Sequence, residues 1–114
     1  MVTARKQIVM RSMVAIFITL GISTPLYAGD AEAGKKRATV CAGCHGNDGM
    51  AFIPNYPNLA GQNELYLVES LKAYRDGLRR HMQMTPMAKG LSDTEIENLA
   101  AYFSSLPPKV KGTQ

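Results

Sequence analysis

Two cysteines and a histidine lie within five residues, in the segment Cys41-Ala42-Gly43-Cys44-His45, and the chain contains no other cysteine. With 114 residues there is room for one small domain. Two cysteines allow at most one disulfide, and a domain of this size usually needs several disulfides, a metal or a bound prosthetic group to be stable. This segment therefore limits the possible folds more than any other feature.

The first 28 residues have the pattern of a secretory signal peptide. A start with three basic residues precedes an apolar run over 13–22, and the stretch ends on the small residue Ala28. The run is short for a membrane span, and a retained N-terminal anchor is the alternative. We expect residues 1–28 to be removed, leaving one periplasmic domain, 29–114, of a Gram-negative bacterium, without stable membrane insertion.

The mature part of the chain is almost neutral. The whole chain has 13 lysines and arginines against 9 acidic residues, but three of the basic residues lie in the first 28. The remaining ten against nine give no reason to expect nucleic-acid binding. Aromatic residues also do not alternate with basic ones, as a base-stacking surface would require. We expect no nucleic-acid partner.

Three helical segments and no strand are predicted in the mature chain, so the predicted fold class is all-α. The first covers about 31–41 after Asp30, a suitable N-cap, and its small residues share one face, namely Ala31, Gly34, Ala38 and Cys41. The second covers about 64–76 and ends at Gly77. Its predicted core face consists of Leu67, Leu71, Tyr74 and Leu78.

The third segment has the clearest start, because Ser92-Asp93-Thr94-Glu95 fits a capping box with Ser92 as N-cap. Pro107-Pro108 ends it, and the predicted buried face consists of Ile96, Leu99, Phe103 and Leu106. Two long loops, 46–62 and 79–91, connect the three segments. Loops of this length are uncommon in a compact domain unless they have a function, and wrapping a flat prosthetic group is such a function.

The Cys-x-x-Cys-His segment suits covalent attachment of haem, because each thiol can add across one vinyl group and the adjacent histidine can bind the iron. Three alternatives compete. A thioredoxin-type pair would require an α/β chain, and a zinc site would require more ligands than the remaining His81 supplies. A plain disulfide is possible in an oxidising compartment. We expect one haem c, held by Cys41, Cys44 and His45.

The 79–91 loop offers four candidates for the second axial position of the iron, namely His81, Met82, Met84 and Met87. A thioether ligand favours reduced iron and raises the reduction potential, whereas a second histidine gives a lower potential. A single methionine is more often a core gap-filler than a ligand. The residue types alone do not choose among the four candidates.

Several motifs make the mature chain resemble class I cytochrome c, and within it the cytochrome c4 and c553 group. They are Gly34-Lys35, the run Cys-Ala-Gly-Cys-His-Gly-Asn-Asp-Gly over 41–49, Tyr-Pro-Asn-Leu-Ala-Gly-Gln over 56–62, and Leu-Ser-Asp with the following helix over 91–103. The resemblance implies a small fold of about three main helices with loops that wrap one haem. Two-domain cytochromes c4 carry two haems, and this chain resembles one half.

The resemblance also implies roles for individual residues. In Met84-Thr85-Pro86-Met87-Ala88, it makes Met84 the axial ligand and Met87 a packing residue. It places Gly34 against Tyr102, where the first and last helices cross. It further implies that the carbonyl of Pro54, with Pro57 as the rival, accepts a hydrogen bond from the second ring nitrogen of the axial histidine.

The resemblance implies a one-electron carrier without catalytic residues, because two filled axial positions leave no place for a substrate. Its partners would be redox proteins, either a membrane oxidase or reductase or a soluble oxidoreductase, and we expect a monomer. One alternative is a haem subunit of a larger dehydrogenase or oxidase. A haem peroxidase or gas binder is another, and it would require the methionine ligand to be absent or labile.

A basic patch is predicted late in the second helix and just beyond it, formed by Lys72, Arg75, Arg79, Arg80 and His81. Cations at the C-terminal end of a helix are favourable in themselves, so a solvated helix end accounts for the patch. A docking surface that attracts an acidic redox partner is the functional interpretation.

Overall fold

The computed structural model describes residues 29–109, so the predicted signal peptide lies outside the described residues, as do residues 110–114. This range contains five α-helices and one 3-10 turn, in the order α1 Ala31–Arg37, the 3-10 turn Ala38–Val40, α2 Ala42–His45, α3 Glu64–Arg75, α4 Met84–Ala88 and α5 Asp93–Ser105. Within 29–109 there is no strand, which confirms the predicted all-α class. No helix in this range is long and apolar enough to cross a membrane.

The first predicted helix is divided into shorter pieces. Its start is as predicted, because the Asp30 carboxylate accepts hydrogen bonds from the backbone N–H groups of Glu32 and Ala33, at 2.9 and 3.1 Å. The predicted end near residue 41 is wrong, because α1 stops at Arg37 and the chain forms the 3-10 turn before α2 begins. The turn contains two β-branched residues, which favour helices less, and such turns are common at helix ends.

Gly34 is the point at which α1 crosses α5. It is buried, and a Cβ atom there would collide with the backbone of Asn98 and lie 2.8 Å from the Cβ of Tyr102. Only glycine permits this approach, and the predicted contact between Gly34 and Tyr102 is confirmed. The Arg37 guanidinium adds an ion pair to the Glu95 carboxylate across the same crossing, at 2.8 Å.

α5 is the centre of the domain. Its predicted capping box is present: the Ser92 hydroxyl accepts from the Glu95 N–H at 3.1 Å, and the Glu95 carboxylate accepts from the Ser92 N–H at 2.9 Å. Its predicted inner face is confirmed as well, with Leu106 partly buried at the end. The buried core consists of Ala38, Leu67, Val68, Ala88, Leu91, Ile96, Leu99, Ala100, Tyr102 and Phe103.

α3 packs against α5 and α4. The Asn63 side chain caps its start by accepting the Tyr66 N–H at 3.0 Å. Leu67 is buried and Leu71 and Tyr74 are partly buried, but the prediction for Leu78 is wrong, because its side chain is 86% exposed. Gly77 adopts a φ of +78°, which ends the helix before Leu78 and turns that residue away from the apolar stripe.

The segment predicted as the 79–91 loop contains a helix, α4. Pro86 occupies its third position, where the missing N–H would have no partner in any case. Ala88 at its end is fully buried, and its packing in the core holds the helix against the rest of the domain. This helix was not predicted from the sequence, because it is only five residues long and contains a proline.

Candidate haem-binding site

A cavity of about 990 Å³ opens between α2, α3, α4 and the 46–62 loop. Ligand pockets in proteins measure roughly 300–1,000 Å³, so this one is large for so small a domain. Much of its wall is apolar and comes from the core, including Leu67, Leu71, Leu91, Leu99 and Phe103. The four predicted site residues, Cys41, Cys44, His45 and Met84, all line this one cavity.

The ring of His45 is buried and held in one orientation. Its Nδ1 lies 2.8 Å from the carbonyl oxygen of Pro57, and because a carbonyl only accepts, Nδ1 carries the proton. The second ring nitrogen, Nε2, has no hydrogen-bond partner in the described part of the chain. Every fully buried side-chain nitrogen within 29–109 does have a partner, so Nε2 must be accessible. Since His45 lines the cavity, Nε2 opens onto it with its lone pair free. This is the tautomer that a metal-binding histidine needs.

The prediction that Pro54 supplies this carbonyl is wrong, and the rival Pro57 supplies it. A turn closed by the Tyr56 N–H and the Ile53 carbonyl, at 3.1 Å, places Pro54 at the exposed tip. Proline favours this turn position because its ring fixes φ at the required value. The chain then returns toward the core, which brings Pro57 to the imidazole.

The 46–62 loop is closed around one carbonyl group. The N–H groups of Leu59 and Ala60 both donate to the Gly49 carbonyl, at 2.7 and 3.0 Å. Gly49 has a φ of +72°, and a Cβ there would lie 2.9 Å from the Ala60 backbone nitrogen, so the closure depends on glycine. The closed loop holds Pro57 against the imidazole.

The two cysteines differ in their surroundings. Cys41 is partly buried and Cys44 is exposed, and they are not bonded to each other. Burial raises the pKa of the Cys41 thiol, although the Arg37 guanidinium opposes this effect. Redox-active cysteines have lowered pKa values, so the environment of Cys41 does not match that of a thioredoxin-type nucleophile.

All four predicted candidates for the second axial position also line the cavity. Met84 is partly buried, whereas Met87 and Met82 are 46% and 90% exposed. The Nδ1 atom of His81 accepts the backbone N–H groups of Gln83 and Met84, at 3.3 and 3.4 Å, so this ring caps the start of α4. Met84 is thus the least exposed of the three methionines, and His81 has a structural role.

A family model described as cytochrome c matches residues 31–107. The chain belongs to the cytochrome c family. Cytochrome c-554(548) of Halomonas halodenitrificans is 54% identical over 81 residues, which are 68% of this chain and 98% of that protein. Cytochrome c4 of Pseudomonas aeruginosa is 44% identical over 94 residues, which are 82% of this chain and 47% of that protein.

Solved structures agree with the sequence comparisons. The crystal structure of reduced recombinant cytochrome c4 from Pseudomonas stutzeri matches with a TM-score of 0.69 and 44% identity, covering 73% of this chain and 48% of that one. The chain therefore spans about half the length of these cytochromes c4, but nearly all of cytochrome c-554(548). The resemblance to the cytochrome c4 group is confirmed.

Membership of the cytochrome c family implies a covalently bound haem c, and the cavity fits such a group. Two thiols and one free imidazole nitrogen open onto it, which is the donor set that haem c requires. Five large apolar side chains on its wall are between 46 and 90% exposed, namely Val40, Ile53, Tyr66, Met82 and Met87. A large apolar ligand in the cavity would cover them, which accounts for their otherwise unfavourable exposure.

One hydrogen bond between side chains links the two loops that flank this cytochrome's cavity. The Gln83 amide donates to the Tyr56 hydroxyl at 3.3 Å, and the Tyr56 ring stands edge-on to His45 with centroids 6.4 Å apart. Sequence reasoning missed this pair, because a contact between residues 27 positions apart leaves no local signal.

Part of the predicted basic patch is neutralised within the domain. Arg75 binds the carboxylates of Asp76 and Asp93, at 2.9 and 2.6 Å, and Lys72 lies 3.9 Å from Asp93. The hydrogen bond from Arg75 lowers the pKa of both carboxyl groups. For Lys72 and Arg75 the structure therefore supports the interpretation as a stabilised helix end. Arg79 instead lies over the ring of Tyr74, 4.6 Å from its centroid.

Proposed function

We propose that this protein carries single electrons on one covalently attached haem c, with His45 and Met84 as the axial ligands. The observation that supports the proposal is the shared cavity, which is lined by the two cysteines, the oriented imidazole and Met84, the least exposed of the three candidate methionines. The two cysteines of this sequence form one attachment motif, which supports a single haem on this domain.

When bound, the haem supplies an iron that changes its oxidation state by one electron, and the protein adjusts that chemistry. Cys41 and Cys44 would each hold the group through a thioether, formed when the thiol S–H adds across a vinyl double bond. The hydrogen bond from His45 Nδ1 to the Pro57 carbonyl fixes the plane of the ring and leaves the lone pair of Nε2 available to bind the iron. The Met84 thioether, if it binds the iron, would favour the reduced state, and the apolar wall would exclude water.

A carrier of this kind has no catalytic residue. If His45 and Met84 both bind the iron, no coordination site would be left for a peroxide or a gas. We infer that the domain acts in the periplasm, to which the predicted signal peptide would direct it, and exchanges electrons as a monomer with other redox proteins. The small net charge of the mature chain predicts that these encounters depend only moderately on ionic strength.

Absorption spectroscopy of the protein, expressed with a haem-maturation system, tests the proposal. We expect the spectrum of a c-type haem, and we expect the haem to stay with the protein during acid extraction. The oxidised form should also show a weak far-red sulfur-to-iron band. Met84→Ala should abolish that band, and Met87→Ala is the matched control that should retain it. Persistence of the band in Met84→Ala would contradict the proposed ligand, and a protein without covalent haem would contradict the function.

A further inference from the structure

The chain stays against the domain after α5 ends. The three residues that follow Leu106, which we call the clasp segment, are Pro107, Pro108 and Lys109. A Cβ atom on Gly61 would lie 2.7 Å from Cδ of Pro108, so the proline ring rests directly on the main chain of that glycine. Two prolines restrict the backbone of the segment, so little conformational entropy is lost when it lies on the domain.

Consecutive residues of the clasp segment contact opposite ends of the 46–62 loop. Pro108 rests on Gly61, shortly before α3 begins, and Nζ of Lys109 lies 2.6 Å from Oδ2 of Asp48, shortly after α2 ends. The last turns of α5 contact the same two ends. The Tyr102 hydroxyl donates to the Asn47 carbonyl at 3.3 Å. The Gly61 N–H donates to the carbonyl of residue 103 at 3.0 Å.

The Asp48 carboxylate is held in place independently of Lys109. Its Oδ1 accepts the Met50 N–H at 3.1 Å, a local hydrogen bond typical of aspartate in turns, and Oδ2 is left for the ammonium group. The hydrogen bond from Lys109 lowers the pKa of the Asp48 carboxyl. An exposed ion pair usually gains little because two side chains must be ordered, but here one of the two is already ordered.

The clasp segment extends beyond the part of the chain that the family shares. The cytochrome c family model ends at residue 107, and the two residues that make the contacts, Pro108 and Lys109, follow it. Neither of them lines the cavity. The loop whose ends they join carries Pro57, the carbonyl of which orients the ring of His45. The segment can therefore affect the imidazole only through the loop.

We propose that the clasp segment positions His45, because by joining the two ends of the 46–62 loop it holds the Pro57 carbonyl against the imidazole Nδ1. Pro108 and Lys109 are the positioning residues. The inference rests on the proposed function, since it takes His45 as the axial ligand. It extends that function by assigning the control of this ligand to residues outside the cavity.

Solvent exchange of the His45 Nδ1 proton tests the inference, because this proton exchanges only when its hydrogen bond to the Pro57 carbonyl opens. The measurement follows the proton by NMR after the reduced holo-protein, with isotope-labelled histidine, is transferred to heavy water. Lys109→Glu reverses the charge that faces Asp48 and should accelerate exchange about 2–5-fold, the factor that one exposed ion pair supplies. Pro108→Gly removes the ring from Gly61 and frees the segment, so it should act in the same direction.

Two controls separate this effect from general changes. Lys89→Glu makes the same charge reversal at an exposed lysine at the end of α4, which forms no ion pair within 29–109. The backbone N–H of Leu99, in the core, reports global unfolding. Adding Asp48→Asn to Lys109→Glu removes the repulsion and keeps an oxygen for the Met50 N–H, so it should restore part of the slow exchange.

The outcomes are distinct. Faster exchange at His45 in Lys109→Glu and Pro108→Gly, with Leu99 unchanged and Lys89→Glu like the wild type, supports the clasp. Equal exchange at His45 in the wild type and both clasp variants would overturn it and leave the proposed function standing. Equal acceleration at His45 and Leu99, or in Lys89→Glu, would also overturn it, because a general loss of stability or charge would then be acting. A wild-type protein without covalent haem would overturn the proposed function, and this inference with it.

Discussion

The two walls of the cavity are built in different ways. On one wall, His45 is 5% exposed and its ring is oriented by a backbone carbonyl from a loop that is itself closed by backbone hydrogen bonds. On the other wall, Met84 is only partly buried and starts a helix of five residues. That helix is anchored by Ala88 and linked across the cavity by the side chains of Gln83 and Tyr56.

This difference indicates that the two walls have different roles. Backbone contacts hold the wall that would carry the covalent bonds and the imidazole, so its geometry is set when the chain folds. The methionine wall depends on side chains and on one short helix, which opens at a smaller cost in free energy. We therefore expect the histidine wall to control assembly and the methionine wall to control the properties of the assembled protein.

Removal of each proposed ligand gives the largest expected contrast. His45→Ala should lower the yield of protein with covalent haem on the order of 10–100-fold. Removing a group that merely supports a metal ligand already costs that much, and His45 is the proposed ligand itself. Met84→Ala should retain covalent haem at a yield close to that of the wild type, because both thiols and His45 remain. Haem content per polypeptide measures both effects. Equal losses of covalent haem in the two variants would contradict the separate roles of the two walls.

The helix crossing that leads into the histidine wall is the next most sensitive feature. Gly34→Ala places a Cβ against the backbone of Asn98, so α1 must move away from α5. Overpacking of this kind costs about 1–3 kcal/mol. Denaturant unfolding of the holo-protein measures the loss. Gly90→Ala is the control, since a Cβ there meets nothing within 4 Å and its effect should be small.

The hydrogen bond between the two walls has a smaller, local effect. Tyr56→Phe removes the acceptor of the Gln83 amide and should cost about 1 kcal/mol. The far-red band should then disappear at a lower denaturant concentration, while global unfolding changes less. Gln83→Ala should act alike, and the double variant should add little to either single one. Fully additive effects would show that the two side chains are not coupled.

The smallest effect concerns acid stability where the methionine wall meets α5. Arg75 donates to both Asp93 and the Leu91 carbonyl and lowers the pKa of Asp93. A carboxyl whose pKa is lowered by folding adds stability above its unfolded pKa, near 3.9, and this stability is lost as pH falls through the folded value. Asp93→Asn should therefore flatten the decline of unfolding free energy below about pH 4, as measured by thermal unfolding. An unchanged slope would exclude this pair as a source of acid sensitivity.

Features determined by neighbouring residues were predictable from the sequence. The caps at Asp30 and Ser92, the stop at Gly77 and the buried face of α5 follow from local hydrogen bonding and helical spacing, and the structure confirms them. The error at Leu78 arose because the apolar spacing was continued past the glycine that ends the helix. The helix α4 was missed because five residues with a proline give no periodic signal.

The site was predictable only in part, for a related reason. The Cys-x-x-Cys-His motif identifies its own residues, because attachment chemistry fixes their spacing. The choice between Pro54 and Pro57 depends on a turn within the loop, and the pairing of Tyr56 with Gln83 depends on how two loops meet. Such contacts arise from tertiary packing, so no short window of sequence contains them.

The contact between His45 and Pro57 affects which amino-acid substitutions this domain can tolerate during evolution. The acceptor is a main-chain oxygen, which every amino acid provides, so replacing the side chain at position 57 does not delete it. The orientation of the imidazole is thus insulated from most point mutations nearby. Insertions, deletions or a substitution of Gly49 would shift the course of the loop and so move this oxygen. Side-chain substitutions that leave the loop in place should not disturb the chemistry at Nε2.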